Sequence, residues 1–319
     1  MFDIVINPSG ASGKTLKIWK KKVEPIFQSM NIKYQVYYSS LEHDVHHIVS
    51  ELTSHPIERS IVILGGDGTM NLAVNGIQNF EKTKVGFIPC GSGNDLGKGL
   101  NISKDIEAIT KQIIQNKVTR KIDIGEVIYF DRSEEHRKEE VSSDGYVHHR
   151  FNISSGIGFD AAICEQAQVS KTKDFLNKLH LGKLIYLVVA IKIIATTKRV
   201  SSIITVDNNK RSYGDLLFTV GMNTPYEGGG FKFCPHCLED DRLLDLCIGN
   251  DLSQWDFFRI FPYAYSGAHL KFDGVTEMRG KEIEIQCKTP MWVHTDGEVA
   301  CKSSHIKMKL LDEQLQLLD

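Results

Sequence analysis

The chain has 319 residues, of which 41% are hydrophobic and 24% charged, the balance of an ordinary folded protein with about two domains. Long disordered regions are therefore not expected. Lysine and arginine number 38 and aspartate and glutamate 40, so the net charge of −2 gives no overall positive field, and we predict no nucleic-acid partner.

The cysteine count and the longest apolar stretch bear on the location of the protein. Seven cysteines are an odd number in a chain without a signal-peptide pattern, which predicts free thiols in a reducing compartment. The most apolar stretch, residues 184–195, contains Lys192 and is shorter than the ~20 residues of a membrane-spanning helix. We expect a cytoplasmic protein, and any work at a membrane would be done from the water side.

The first 120 residues alternate between short apolar strands and amphipathic helices. This alternation predicts right-handed βαβ units on a parallel sheet, hence a Rossmann-like α/β domain over residues 1–122. Strands are predicted at 2–7, 34–38, 61–64 and 85–88, and helices at 16–30, 45–52, 70–80 and 103–116.

After Arg120, short stretches of alternating polarity dominate. They predict a mostly antiparallel β-sandwich domain over residues 123–319, with the last strand returning to the first domain. The charged segment 131–149 predicts a surface hairpin loop or local disorder. Strands are predicted at 124–130, 146–153, 202–206, 216–221, 244–248, 282–287 and 305–310, and helices at 171–198 and 253–265.

Three glycine-rich turns each follow a predicted parallel strand, where open α/β sheets bind their ligands. Glycine lets backbone N–H groups approach phosphate oxygens closely, and the following helix N-terminus adds a favourable field. The first turn, Pro8–Thr15, invites comparison with a P-loop, but that motif requires glycine where Pro8 stands. Lys14 in this turn has two interpretations, a phosphate contact or a solvated lysine at a helix start.

The second and third turns carry carboxylates. Asp67 stands between glycines at the end of a buried strand, where an unpartnered carboxylate would be costly and a Mg²⁺–phosphate unit would supply the partner. The alternative for this turn is a helix-capping Asp or Thr. In the third turn, Ser92 and Asn94 are candidates to hold phosphate or ribose, and Asp95 to orient a nucleophile or a metal-bound water. A plain loop with left-handed residues explains the third turn about as well.

A fourth motif, Thr295-Asp296-Gly297-Glu298, lies far from these turns in the sequence. Asp-Gly is a common hairpin turn, so the segment by itself favours a structural role. The functional interpretation makes Glu298 a general base, because a hydroxyl nucleophile needs a carboxylate within hydrogen-bond reach.

Together and in this order, the motifs resemble those of the diacylglycerol kinase catalytic-domain family, which includes bacterial lipid kinases and is related to sphingosine and ceramide kinases. GGDGT alone is also similar to NAD kinases and phosphofructokinases, whereas GGDGT followed by GSGND is specific to the lipid kinases. The matching segments are NPSGASGK at 7–14, GGDGTMN at 65–71, PCGSGNDLGKGL at 89–100, RKIDIG at 120–125, NTPYEGGGFKFCP at 223–235, DDRLLD at 240–245 and TDGE at 295–298.

The resemblance implies an ATP-dependent lipid kinase that uses Mg²⁺ and phosphorylates a hydroxyl of diacylglycerol or a related lipid at a membrane surface. It implies that Asp67 meets the phosphates through Mg²⁺, that Asp95 supports the site, and that Glu298 accepts the proton of the lipid hydroxyl. Peripheral contact with the inner face of the plasma membrane and a homodimer are further expectations, the homodimer by analogy with bacterial relatives. The nucleotide-binding residues that the resemblance implies are Asn7, Ser9, Gly10, Gly13, Lys14, Ser39, Gly65, Gly66, Asp67, Gly68, Thr69, Met70, Asn71, Ser92 and Asn94.

The resemblance also implies a second, structural Mg²⁺. Its ligands would be the side chain of Asp241 and the carbonyls of Leu238 and Leu243, with Asp123 coupled to them through water. The family usually has glycine where Arg242 stands. Because arginine does not adopt a positive φ cheaply, we expect this metal loop to be reshaped or empty.

Several alternatives stay open at this point. An NAD kinase-like enzyme shares GGDGT and the use of ATP and Mg²⁺, and a catalytically silent nucleotide- or lipid-binding protein is a rival from another class. The helix predicted at 171–198, with an apolar centre and lysines at both ends, is either an interfacial helix or a core helix with a basic rim. The pair Cys234 and Cys237 has the spacing of a redox or zinc motif but lacks the sequence context for either.

Overall fold

The computed structural model describes residues 1–91, 93–135, 141–169, 193 and 197–319. Its contacts divide the chain into a first unit, Met1–Ile124 with Glu239–Asp241 and Leu311–Asp319, and a second unit, Gly125–Leu238 with Arg242–Leu310. Ser92 and nearly all of the helix predicted at 171–198 lie outside the described residues. In the part of the chain that is described, no helix is both long and apolar enough to cross a membrane.

The first unit is built on a six-stranded sheet in the order β2-β1-β3-β4-β17-β5. Every neighbouring pair from β2 to β17 is parallel, and β17 pairs antiparallel with β5. The prediction of a parallel α/β domain is therefore confirmed. The strands are β1 (Phe2–Ile6), β2 (Tyr34–Tyr38), β3 (Arg59–Gly65), β4 (Thr83–Pro89), β5 (Arg120–Ile122) and, from the end of the chain, β17 (Leu315–Leu318).

The helices of the first unit connect successive strands and cover the sheet with apolar side chains. Where one helix is predicted over 16–30, the chain forms two α-helices joined by a π-helical turn, Trp19–Val23. The wider turn keeps both Trp19 and Val23 buried, while the lysines between them remain exposed. The helices are α1 (Gly10–Ile18), α2 (Glu24–Ser29), α3 (Val45–Thr53), α4 (Asp67–Gly76), α5 (Asp95–Gly99) and α6 (Ile106–Ile114).

The second unit contains a nine-stranded, antiparallel sheet, which confirms the predicted β-rich domain. The strands of this sheet are β6 (Gly125–Tyr129), β7 (Val147–Phe151), β8 (Ser154–Gly158), β9 (Val200–Val206), β10 (Asn209–Met222), β13 (Leu244–Asn250), β14 (Val275–Gly280), β15 (Glu282–Thr295) and β16 (Glu298–Leu310). Two short strands, β11 (Tyr226–Glu227) and β12 (Phe231–Lys232), pair with each other outside this sheet. The α-helices of the second unit are α7 (Phe159–Val169) and α8 (Gln254–Ala264).

Two long strands organise the second unit. β10 and β15 each pair with β8 at one end and with β9 at the other, so they carry the sheet across both of its halves. The side chains between the halves form an apolar core that includes Phe151, Ile204 and Ile285. Of the charged segment 131–149, predicted as a loop or local disorder, residues 147–149 belong to β7, which pairs antiparallel with β6, and residues 136–140 lie outside the described residues. After β6, the Asp131 carboxylate accepts the N–H groups of Ser304 and His305 at 2.9 Å each.

Candidate active-site residues

The three glycine-rich turns follow β1, β3 and β4, which are adjacent strands in the sheet of the first unit. Because these strands are parallel, the turns lie at the same edge of the sheet. The second and third turns touch through their backbones, since a Cβ built on Gly91 would lie 2.8 Å from the Cα of Gly66. Glycine at these positions is therefore required by the packing of one turn against the other.

Asp67, the first residue of α4, reaches from the second turn to the third. Its Oδ2 accepts the N–H of Asp95 at 3.0 Å, and its Oδ1 accepts the N–H of Leu96 at 3.3 Å. The carboxylate thus caps the start of α5. The sequence suggested a helix cap as the alternative role of this turn, but not a cap on a helix that follows another turn. The two bonds hold both oxygens of the carboxylate at the start of α5.

The carboxylate of Asp95 lies beside that of Asp67. A Cβ on Gly93 would lie 3.4 Å from Oδ2 of Asp67 and 3.6 Å from Oδ2 of Asp95, so the two groups flank the same backbone position. Asp95 is buried, and its Oδ1 forms an ion pair with Lys98 at 2.8 Å. Two adjacent carboxylates have the oxygen chemistry that a hard cation such as Mg²⁺ prefers.

Asn94 offers a further indication that the third turn binds a ligand. Its backbone is left-handed, with φ of 52°, and its buried Oδ1 has no hydrogen-bond partner among the residues that the structure describes. That atom lies 2.9 Å from where a Cβ of Gly91 would be. Leaving a buried acceptor without a donor is unfavourable, so the turn suits a ligand that donates, such as a ribose hydroxyl or a metal-bound water.

The first turn is linked to the second by Asn7. Its Nδ2 donates to Oγ1 of Thr69 at 3.4 Å, and its Oδ1 accepts the N–H of Ser9 at 3.1 Å. Thr69 is buried, whereas Lys14 is exposed. Ser39 follows β2, at the same sheet edge, and its N–H donates to the carbonyl of Ile6 at 3.0 Å.

Helix N-termini in the first unit fall into two kinds. Asp44 and Asp105 cap α3 and α6 with their side chains, as helix starts usually are. α1 and α4, which follow the first and second glycine turns, begin without a side-chain cap hydrogen bond. Uncapped N–H groups at a helix start favour an anion such as phosphate.

In the second unit, the fourth motif forms the tight turn between β15 and β16. Asp296 and Gly297 have φ of 50° and 83°, the pair of positive values that a two-residue hairpin turn requires. The Asp296 carboxylate accepts the backbone N–H groups of Asn152, Ile153 and Ser154 at 2.9, 2.8 and 3.0 Å. The turn is therefore fixed to the chain before β8, while the side chain of Glu298, the first residue of β16, is exposed.

A buried group of three titratable side chains lies behind this turn and was not found from the sequence. Nε2 of His294 lies 2.8 Å from Oδ2 of Asp160 and 3.2 Å from Oε1 of Glu227. A Cβ on Gly156 would lie 2.1 Å from Oδ2 of Asp160 and 2.6 Å from Nε2 of His294. The glycines in β8 were a signal, because an isolated glycine in a strand often marks a close approach.

The expected reshaping of the segment around Arg242 is not seen at that residue. Arg242 adopts φ of 62°, the left-handed conformation that a glycine favours. In the first unit, Asp123 is buried, its N–H donates to the carbonyl of Glu239 at 2.7 Å, and its Oδ1 accepts from Gln314 at 2.8 Å. The structural Mg²⁺ site, with Asp241, Leu238 and Leu243, stays a prediction.

Cys234 and Cys237 are buried, and burial raises the pKa of the Cys234 thiol well above its usual value. A thiol held in its neutral form is a poor nucleophile and a poor metal ligand. Burial therefore disfavours the thiolate form of Cys234.

Comparisons with known proteins assign the chain to a family. The profile of the diacylglycerol kinase catalytic domain matches residues 2–127, and that of the YegS C-terminal NAD kinase beta sandwich-like domain matches residues 154–318. Residues 2–127 therefore belong to the diacylglycerol kinase catalytic-domain family, and residues 154–318, more than half of the chain, belong to the family of the YegS C-terminal NAD kinase beta sandwich-like domain. Family membership supports a kinase-type function and the use of ATP.

Two curated relatives span most of the chain. A Bacillus subtilis protein, provisionally named as the lipid kinase YtlR, is 29% identical over 304 residues, 92% of this chain and 92% of its own length. A protein of Mycobacterium tuberculosis named diacylglycerol kinase is 24% identical over 263 residues, 81% of this chain and 76% of its own length.

Solved structures show the same fold. A Bacillus anthracis structure described as a diacylglycerol kinase superimposes with a TM-score of 0.67 at 18% identity, covering 99% of this chain and 96% of the other. An Archaeoglobus fulgidus NAD kinase in complex with ATP gives a TM-score of 0.51 at 10% identity, covering 100% and 94%. At these identities the likeness concerns the fold alone.

Proposed function

We propose that the protein is an ATP-dependent lipid kinase that transfers the γ-phosphoryl group to a hydroxyl of diacylglycerol or a related lipid. The observation that carries the proposal is the pairing of Asp67 and Asp95 at the edge where the glycine turns meet. Phosphoryl transfer asks a protein mainly for positioning and charge neutralisation, and this edge offers backbone N–H groups and adjacent carboxylates for both.

The nucleotide is assigned to the first unit. The uncapped starts of α1 and α4 would bind phosphate oxygens through N–H groups, and Asn94 would accept from a ribose hydroxyl or a bound water. In this site Mg²⁺ would supply neutralisation of the phosphate charge. Asp67, with the carboxylate of Asp95 beside it, would hold the ion directly or through water. The nucleotide-binding set is Asn7, Ser9, Gly10, Gly13, Lys14, Ser39, Gly65, Gly66, Asp67, Gly68, Thr69, Met70, Asn71 and Asn94; Ser92 belongs to it by resemblance.

The acceptor hydroxyl is assigned to Glu298 in the second unit. An exposed carboxylate at the start of a strand is able to take a proton from a hydroxyl within hydrogen-bond reach. The anchored turn supports this role, since a general base must be held in place while its side chain stays accessible. General-base catalysis typically contributes about 10²- to 10⁴-fold to the rate.

An exposed aromatic stripe on α8 supports a lipid acceptor. Trp255, Phe258, Pro262 and Tyr265 recur at helical spacing, and all four are exposed, Trp255 to 82%. Tryptophan and tyrosine are enriched where proteins meet the headgroup region of a bilayer, and Arg259 on the same helix suits anionic headgroups. We therefore assign this stripe to contact with a bilayer surface. Its test is co-sedimentation with anionic vesicles, which W255S/F258S should weaken.

The experiment that tests the proposal is transfer of labelled phosphate from γ-labelled ATP to a total lipid extract, with NAD as a parallel acceptor. A labelled lipid is the expected product and would identify the acceptor. A labelled dinucleotide would favour the NAD kinase-like alternative, and no transfer with retained ATP binding would favour a silent binding protein. E298Q should lose about 10²- to 10⁴-fold in kcat. E282Q, at the other end of the same hairpin, is the matched control and should keep wild-type turnover.

A further inference from the structure

The buried group of Asp160, Glu227 and His294 is connected to the turn that carries Glu298. Nδ1 of His294 accepts the N–H of Gly297 at 3.2 Å, and Gly297 is the residue before Glu298. On the other side of the turn, Asp296 accepts three backbone N–H groups. Two side chains of the hairpin therefore fix the turn from two directions.

The bond to Gly297 determines the tautomer of His294. A ring nitrogen that accepts a backbone N–H carries no proton itself, so the proton of the neutral imidazole is on Nε2. From Nε2 it is directed at Oδ2 of Asp160 and Oε1 of Glu227. A metal ion on Nε2 would move this proton to Nδ1, where it would face the N–H of Gly297. The geometry thus favours a hydrogen-bonded group over a metal site.

His294 and Glu227 are electrostatically coupled in this buried group, with Nε2 and Oε1 3.2 Å apart. Burial raises the pKa of Glu227 to about 7. Burial lowers the pKa of His294, but the charges of Glu227 and Asp160 outweigh this effect and raise it to about 9. The backbone N–H of Gly297 points at Nδ1 and opposes a second ring proton there, so the neutral tautomer with its proton on Nε2 is the form that fits this geometry.

The surroundings leave the imidazole little freedom. His294 is fully buried, and it lies over Gly156, where any Cβ would collide with both Asp160 and the ring. His294 pairs with Gly156 in the register of β15 and β8, so the ring stands above the backbone of the neighbouring strand. A ring held on both nitrogens is a rigid link between the sheet and the turn.

We propose that His294, oriented by Asp160 and Glu227, is a positioning residue that fixes the turn at Gly297 and thereby sets the place of the Glu298 carboxylate. This inference rests on the proposed function, in which Glu298 is the general base. It assigns no contact with substrate to His294. A displacement of about 1 Å at a reacting group can cost about 10²-fold in rate, so a loosened turn should lower kcat.

Two substitutions test the hydrogen bonds of the two ring nitrogens of His294 one at a time. In H294N, the amide oxygen takes the place of Nδ1 and can accept from Gly297, but the side chain does not reach Asp160 or Glu227. In H294Q, the amide nitrogen replaces Nε2 and can donate to the carboxylates, but the bond to Gly297 is lost. Both variants should lower stability. H294Q should lose about 10- to 100-fold in kcat with an unchanged KM for ATP, and H294N should stay within about threefold of wild type.

Controls make the outcomes distinguishable. H269Q alters another buried histidine of the second unit and should lower stability without lowering kcat. If E298Q keeps wild-type turnover, the assignment of the base fails; if E298Q loses turnover while H294Q keeps it, the positioning role is overturned and the base stands. Nitrogen-15 NMR of the histidine rings in wild type needs no variant to fold: an unprotonated Nδ1 on His294 is expected, and a protonated Nδ1 would overturn the inference.

Discussion

The hydrogen bonds of Asp296 allow a stability prediction worked out atom by atom. Oδ1 accepts the N–H groups of Ile153 and Ser154, and Oδ2 accepts the N–H of Asn152 at 2.9 Å and, more weakly, its side-chain Nδ2 at 3.3 Å. In D296N, the amide oxygen should keep the two bonds of Oδ1, while the amide nitrogen faces the N–H of Asn152. Asn-Gly is as favourable as Asp-Gly in this type of turn, so the substitution isolates the lost acceptor.

The expected magnitudes follow from the number of bonds lost. A hydrogen bond to a charged group contributes about 1.5 to 3 kcal/mol to stability. Because the Asp296 carboxylate is partly exposed, each of its bonds should contribute near the lower end of this range. D296N should therefore cost about 1.5 to 2 kcal/mol of unfolding free energy. D296A loses all three backbone bonds, which at about 1.5 kcal/mol each amount to about 4.5 kcal/mol, and since aspartate already stands at this positive φ, alanine adds only the small difference between the two residues there.

Hydrogen exchange of the backbone amides is the appropriate assay, because it reports on the second unit directly. In D296N the amide of Asn152 should exchange about tenfold faster or more, with smaller changes at Ile153 and Ser154. D273N, at an exposed aspartate of the same unit, is the matched control. If D296N and D296A change exchange and unfolding no more than D273N does, the anchoring of the turn by Asp296 is refuted.

Three further predictions concern the nucleotide edge and a buried histidine. G91A should raise the KM for ATP about tenfold or more, because its Cβ would meet the backbone of the second turn. G93A, whose Cβ would make only ordinary contacts, should raise the KM less. Equal KM values for the two variants in steady-state kinetics would contradict this prediction. D67A should lower kcat more than E298Q, as measured by label transfer, because it removes metal positioning together with the cap of α5; a smaller loss would contradict it. Burial lowers the pKa of His269, so the unfolded state takes up this proton at a higher pH than the folded state does. The free energy of unfolding should therefore fall as the pH drops below about 6.5, by at most about 1.4 kcal/mol per pH unit. H269Q should flatten this pH dependence in urea titrations at pH 7.5 and 5.5, and an equal slope in both proteins would contradict the prediction.

The fold was largely predictable because its signals are local. Continuous apolar runs marked β3 and β4, and helical periodicity marked α3 and α6, at nearly the observed bounds. The sequence missed β8, whose residues Ser154–Gly158 are mostly small and lack the apolar alternation of a strand. It also missed the division of the segment 16–30, because a π-helical turn changes the hydrogen bonding without changing which residues are apolar.

The candidate site was predictable only where its residues are close together in the sequence. The glycine turns and Asp67 stand out as motifs, yet the cap that Asp67 provides to α5 depends on the contact between two turns. Asp160 and His294 are 134 residues apart and meet only through the register of β8 and β15. No pattern within a window of the sequence contains that information.

The structural and functional interpretations of the TDGE segment concern different atoms and are compatible. Asp296 and Gly297 form the turn, since they take the positive φ values and the anchoring bonds. The exposed carboxylate of Glu298 follows the turn and takes no part in its backbone geometry. Asp67 is comparable, since its bonds to α5 fix its carboxylate beside that of Asp95. A helix cap or a tight turn is therefore weak evidence against catalysis, because the bonds that form it also hold a reactive group in place.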